Sequence, residues 1–145
     1  MNPISVGIPL YKDFDSLDVF GPYQTFTWAD MKCFLYAPSL EPVRSFEGVS
    51  VLPDLTFEDT QQLDVLFVPG GRNPVSVLLE GHPGHNAYLD FLIRKEYQVQ
   101  LVCSVCTGAL LLGGAGLLKG HVVTTHWAFK EVLKLFPDEI GRAHV

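Results

Sequence analysis

Short apolar runs alternate along this chain with longer segments whose apolar residues recur at helical spacing. Ile4 to Leu10 reads as a short buried strand, and Leu17 to Trp28 as an amphipathic helix opened near Asp15 and Ser16. Cys33 to Ala37 is the next β-like run, ended by Pro38. Arg44 to Leu52 reads as a short hairpin or excursion around Glu47 and Gly48, closed by Pro53. Thr56 is placed to cap a turn of helix through Asp59. Asp64 to Val68 has the apolar character of a strand buried on both faces in a parallel sheet, and it ends in Pro69-Gly70-Gly71. Asn86 to Glu96 predicts a helix, Val99 to Cys103 a strand, and a second helix follows to Leu118. Val122 to Thr124 reads as a short strand and Trp127 to Phe136 as a final helix. Strands alternating with crossover helices predict an α/β fold, a three-layer α/β/α sandwich with a mostly parallel sheet. No repeat or linker divides the chain, so one domain is expected.

The most informative stretch is Val99 to Leu112. An apolar strand stops at cysteines flanked by small residues, Gly108 follows Cys106 by two positions, and an Ala-Leu run takes over at once. That is the layout of a nucleophile elbow, which presents one side chain above the sheet edge. A thiol there stands at a helix N-terminus, where backbone N–H groups favour its thiolate. Gly108 is required because the helix leaves so close to the strand that a side chain would collide. Cys106 is therefore the candidate nucleophile. Read locally, it is equally a small buried core residue. Cys103 and Cys106 also form a Cys-x-x-Cys pair. Zinc would need two further ligands at suitable spacing, and Cys33, His121 and His126 do not supply it. A thioredoxin-type dithiol would open the helix with both cysteines, whereas Cys103 reads as the end of the strand.

Ligands of such sheets bind beyond the carboxyl ends of the strands, where three loops should meet. The elbow is one. The Gly70-Gly71 turn is another, and its N–H groups can approach a developing oxyanion. The third opens the first helix, which carries Asp15 and Asp18. Locally, the double glycine is also an ordinary turn and Asp18 a solvated helix charge.

Composition narrows the classes. A chain of 145 residues with 48% hydrophobic content suffices for one core and is too short for two typical domains. The net charge of −6 argues against contact with nucleic acid phosphates or anionic membranes. Three cysteines without framework spacing fit a reducing cytosol, and no signal-peptide pattern opens the chain. The apolar run from Ala109 to Leu118 is too short to span a bilayer. A soluble, cytoplasmic protein is expected.

Taken together, "FVPGG" at 67–71, "SVCTGALLLGGAGLLKG" at 104–120 and "TTHW" at 124–127 resemble the ThiJ/PfpI superfamily, with its class-I glutamine-amidotransferase-like fold. "SLDVFGPYQTF" at 16–26 is similar to the N-terminal motif of the isonitrile hydratase subgroup. The resemblance implies that Cys106 is the nucleophile, with Thr107 beside it supplying a hydroxyl and an N–H. It implies that Gly70 and Gly71 line the anion-stabilising loop and that Asp18 is the acidic partner of the thiol. Many superfamily members use a glutamate at that place. Peptidase-like and deglycase-like members often carry a histidine where this chain has Thr107, so those activities lose their usual base. His126 either approaches Cys106 or caps the last helix, and capping is the preferred reading. The implied reaction is hydration of an isonitrile through a cysteine thioimidate, with no metal or organic cofactor. The expected partners are a small-molecule electrophile and, at full length, a second copy of the chain in a homodimer. The alternatives are the small-molecule-sensing N-terminal domain of an AraC-type transcription regulator and a stress-related thiol protein of the same superfamily.

The resemblance implies a domain over residues 1–138 that is incomplete at its C-terminus. Residues 139–145, Glu139-Ile140-Gly141-Arg142-Ala143-His144-Val145, translate one frame of a common sequencing-adapter sequence and read as a non-native tail. An early stop is expected to leave an unpaired sheet edge and an exposed apolar face at Val132, Leu133 and Phe136.

Overall fold

The computed structural model describes residues 2–136 together with residues 140 and 141. Five parallel strands form its central sheet: β1 (Ser5–Pro9), β2 (Lys32–Ala37), β5 (Leu55–Thr56), β6 (Val65–Val68) and β7 (Leu101–Ser104). Their spatial order is β5-β2-β1-β6-β7. The chain thus starts in the middle, builds outward on one side and crosses back to build on the other. β3 (Val43–Arg44) and β4 (Ser50–Val51) pair antiparallel as the expected hairpin.

Alternation along the strands separates the two faces. Phe67 points to the face covered by α1 (Ser16–Trp28), where its ring meets Phe26 edge-on at 5.5 Å. Tyr36 points to the other face and meets Phe91 of α3 (Ala87–Glu96) at 4.9 Å. α2 (Pro74–Leu79) and α4 (Gly108–Gly114) pack with α3 on that second face. This is the three-layer α/β sandwich with a parallel sheet. On the interior strand β6, Leu66 and Val68 are fully buried against the second face, whereas Val65 and Phe67, facing α1, are only half-buried, so its apolar run is not buried on both faces as expected.

Local details depart from expectation for identifiable reasons. Thr56 caps no helix: Leu55 and Thr56 pair with Tyr36 and Ala37 of β2, and only a turn follows. The sequence reading passed over α2, although Asn73 caps it and Pro74 occupies its first turn, a recognised helix start. α4 stops at Gly114 instead of reaching Leu118, because two glycines weaken its end and Gly116 turns left-handed at φ 75°. The final helix is broken into a 3₁₀ turn (Trp127–Phe129) and α5 (Lys130–Leu133). α1 is less amphipathic than expected. Val19 is its only fully buried residue, and Leu17 and Trp28 stand about three-quarters exposed. Leu133 is buried and Val132 and Phe136 half-buried, so they form no exposed face, and the Phe136 ring lies over Gly113. β8 (Val122–Val123) pairs in parallel with β9 (Ile140–Gly141), and the rest of the 139–145 segment lies outside the described residues.

Candidate functional site

The sharp turn from β7 into α4 places Cys106 at φ 54°, a left-handed backbone that side-chain-bearing residues seldom adopt. The turn is locked to its neighbours. The Val105 N–H donates to the Val68 carbonyl at 3.2 Å and the Gly108 N–H to the Val105 carbonyl at 2.9 Å. A Cβ on Gly108 would lie 2.3 Å from the Val68 oxygen, so a side chain there would collide, though with the end of the neighbouring strand β6 and not with the strand the helix leaves. On the far side, the Cys106 carbonyl accepts from the His126 N–H at 3.1 Å and from the Thr125 hydroxyl at 3.0 Å.

The loop after β6 meets this elbow. A Cβ on Gly70 would fall 2.6 Å from Asp18 Oδ2, 2.6 Å from Cys106 Cβ and 2.8 Å from the Thr107 nitrogen. Only glycine lets those three groups converge. Asp15 caps α1 by accepting from the Leu17 N–H, which puts Asp18 in the first helical turn facing the loop. The Gly70 N–H donates to Asp18 Oδ2 at 3.2 Å, and the Gly70 carbonyl accepts from the Asp15 N–H at 3.0 Å. Thr107 is 1% exposed, and its hydroxyl is engaged with Gly71, accepting from its N–H and donating to its carbonyl at 3.0 Å each. Both glycine amides therefore have protein partners. A cavity of about 690 Å³ opens along β7, and Cys106 lines it together with Val105, Ala109, Leu112 and His126.

The electrostatics correct one expectation. Burial, and then the Asp18 charge, push the Cys106 thiol above its ordinary range, outweighing the Thr107 N–H that favours the thiolate. A helix start as short as α4 does not reverse that balance. Asp18 is also raised, by burial and then by Asp15, while the Gly70 N–H and the Cys106 thiol hold it down. The Asp18 charge thus discourages the thiolate, while the hydrogen bond from the thiol favours the ionised carboxylate.

The structure thus brings together Cys106, Asp18, Thr107, Gly70, Gly71 and Gly108. His126 stands apart: its Nδ1 accepts from the Ala128 N–H at 3.2 Å and caps the 3₁₀ turn, which leaves the proton on Nε2. This is the preferred capping reading, while the His126 main chain supports the elbow. Two contributors escaped the sequence reading: Thr125 at the Cys106 carbonyl, and Tyr11, whose hydroxyl donates to the Pro69 carbonyl at 3.2 Å. Among the described residues no His, Cys, Asp or Glu cluster could hold a metal, and no helix is long and apolar enough to cross a membrane.

Known proteins share this arrangement of elements. The chain is 40% identical over 131 residues to the isonitrile hydratase of Pseudomonas putida, covering 90% of this chain and 55% of the hydratase. It is 31% identical over 94 residues to the HTH-type transcriptional regulator CdhR of Pseudomonas aeruginosa, covering 62% of this chain and 26% of the regulator. The crystal structure of a ThiJ/PfpI family protein from Pseudomonas syringae superposes with a TM-score of 0.84 at 30% identity, over 100% of this chain and 64% of that one. The chain spans little more than half the length of the hydratase. The DJ-1/PfpI family pattern matches residues 4–142, nearly the whole chain, and this protein belongs to that family.

Proposed function

We propose that this chain carries the reacting residues of a hydro-lyase that adds water to an isonitrile and releases an N-substituted formamide. The observation that carries the reading is the Asp18 carboxylate, held on the Gly70 N–H beside the Cys106 thiol. Similarity to the Pseudomonas putida isonitrile hydratase supports it, as does Thr107 in a place where other family activities need a histidine.

The terminal carbon of an isonitrile is a soft electrophile, matched to sulfur. Asp18 takes the thiol proton as the Cys106 sulfur bonds to that carbon, then delivers it to the same carbon, giving a thioimidate, R–N=CH–S–Cys. Water next adds to the imidate carbon, with one of its protons passing to nitrogen. Collapse of this tetrahedral adduct breaks the C–S bond, forms the formamide carbonyl and returns the remaining proton to sulfur. Water is consumed once, no electrons change hands, and neither metal nor organic cofactor is needed. A raised Asp18 suits this shuttle, because a more basic carboxylate takes the thiol proton more readily. The substrate is thus a small molecule; the protein works in the cytoplasm as a homodimer at full length, and this domain leaves nucleic acid alone.

The test is turnover of cyclohexyl isocyanide by the protein expressed from its intact gene, with the formamide read by chromatography. Cys106→Ala should abolish product. Asp18→Asn should lower turnover by roughly 10²–10⁴-fold, the range for a positioned acid–base group. Similarity to CdhR favours a second reading, the small-molecule sensor domain of a transcription regulator. No formamide from wild type, with a helix-turn-helix encoded downstream, would replace the hydratase by the sensor.

A further inference from the structure

The Pro69 carbonyl and the Gly70 N–H are the two ends of one planar peptide group. The Gly70 end holds Asp18 Oδ2 at 3.2 Å, and the Pro69 end accepts from the Tyr11 hydroxyl, also at 3.2 Å. A crankshaft rotation of this peptide would swing the N–H off the carboxylate, and the phenol prevents it from the opposite end. A hydrogen bond accepted at the carbonyl also polarises the amide and strengthens donation by its N–H.

Tyr11 is itself firmly aimed. It is 6% exposed, and its ring stands edge-on to Tyr88 at 5.3 Å. Tyr88 is buried in turn, with its hydroxyl donating to the Pro9 carbonyl at 3.0 Å and its ring against Phe57. A Cβ on Gly71 would lie 2.7 Å from the Tyr11 oxygen, so the loop is shaped around this hydroxyl. Neighbouring anchors come from Asp18 and Thr107, which belong to the proposed machinery, whereas Tyr11 comes from the loop after β1.

We propose that Tyr11 is a positioning residue of this site, clamping the Pro69–Gly70 peptide so that its N–H stays on the Asp18 carboxylate and sets how readily Asp18 takes a proton. Burial, and then the charges of Asp18 and Cys106, hold the phenol above its ordinary range, so it remains a neutral donor while Asp18 is ionised. The other groups facing the pair are fixed in the fold: Asp15 at the α1 cap, Glu47 on the β3–β4 hairpin and Thr107 on the elbow, while the His126 imidazole is turned to Ala128. The inference rests on the hydratase reading only in taking Asp18 as the group that moves the thiol proton.

The experiment is a carbon-13 NMR titration of the Asp18 carboxyl in aspartate-labelled protein from the intact gene, assigned by the signal lost in Asp18→Asn. Tyr11→Phe should raise the Asp18 midpoint by about half a pH unit or more, because the carboxylate loses its fixed donor. Tyr88→Phe, which removes an equally buried hydroxyl from the partner ring, should leave the midpoint where it is. An unchanged Asp18 midpoint in folded Tyr11→Phe, or an equal shift in Tyr88→Phe, overturns the proposal. Should Tyr11→Phe fail to fold, 3-fluorotyrosine at position 11 keeps the ring and donates more strongly. The midpoint should then fall, and no movement overturns the proposal equally. Turnover measured on the same samples separates the two ideas: inactive wild type sinks the hydratase reading, while the Asp18 titration still judges Tyr11.

Discussion

Thr107 and Gly71 exchange two hydrogen bonds through a single hydroxyl, which accepts from the glycine N–H and donates to the glycine carbonyl. The pair is buried, so removing the hydroxyl takes away the partner of both backbone groups. Thr107→Val keeps the shape and should cost roughly 2–4 kcal/mol, since two buried backbone groups lose their partner at about 1–3 kcal/mol each before relaxation. Thr107→Ser should retain most of the stability. Urea midpoints of the three proteins check this, and equal midpoints for Val and Ser would refute it.

Asp18 trades stability for its position. Its folded midpoint lies above its ordinary 3.8, so the fold binds this proton more tightly than the unfolded chain does. That contribution is fully present below the unfolded value and is lost as pH rises through the folded one. Asp18→Asn should therefore be more stable than wild type at neutral pH, by about 1 kcal/mol or less after solvent screening of this half-buried group. The gain should vanish in acid below the unfolded midpoint. Thermal unfolding from acid to neutral pH measures it, and a loss of stability at neutral pH would contradict it.

The same coupling governs the thiol. Burial and Asp18 hold Cys106 above 9.0, so its alkylation by iodoacetamide should keep climbing beyond that pH. In Asp18→Asn the neighbouring charge is gone, and the Cys106 midpoint should move down. Cys33 and Cys103, raised chiefly by their own burial, should not respond. Mass spectrometry resolves the three sites in one sample. Turnover in the proposed hydration should correspondingly be bell-shaped, rising as Asp18 ionises above 3.8 and falling as Cys106 loses its proton above 9.0.

Gly108→Ala tests the elbow's geometry without touching its chemistry. The added methyl meets the Val68 carbonyl oxygen at 2.3 Å, and backbone on both sides must shift. The expected loss is about 1–3 kcal/mol, typical of overpacking, with the Cys106 alkylation profile displaced as the turn moves. A variant matching wild type in both respects would mean that the helix start is looser than its contacts suggest.

How much of this was legible beforehand depended on the range of the forces involved. The elbow could be read from Cys106 and Gly108 because a sharp turn leaves its mark within a few residues. β6 was readable as a strand because its run of Val65, Leu66, Phe67 and Val68 is apolar throughout, although only the face of Leu66 and Val68 is fully buried. Thr56 was misread because its partner in β2 lies about twenty residues away, and pairing overrode a plausible local cap. The thiol's ionisation was misjudged for a related reason. The helix start is local, whereas burial and the Asp18 charge arrive only with the fold. Tyr11 left no local signal at all, since its role exists only once Pro69 is brought beside it across 58 positions.

The backbone angle at residue 106 sets fold against chemistry. At φ 54° any side chain costs about 1 kcal/mol that glycine would not, so Cys106→Gly should be more stable than Cys106→Ala, a comparison chemical denaturation can make directly. The gradient has a direction in evolutionary time. A lineage that stops using the thiol has a downhill path to glycine at this one position, with the turn itself undisturbed. On the proposed reading, a cysteine kept at position 106 against that slope marks a chain in which the thiol is still used.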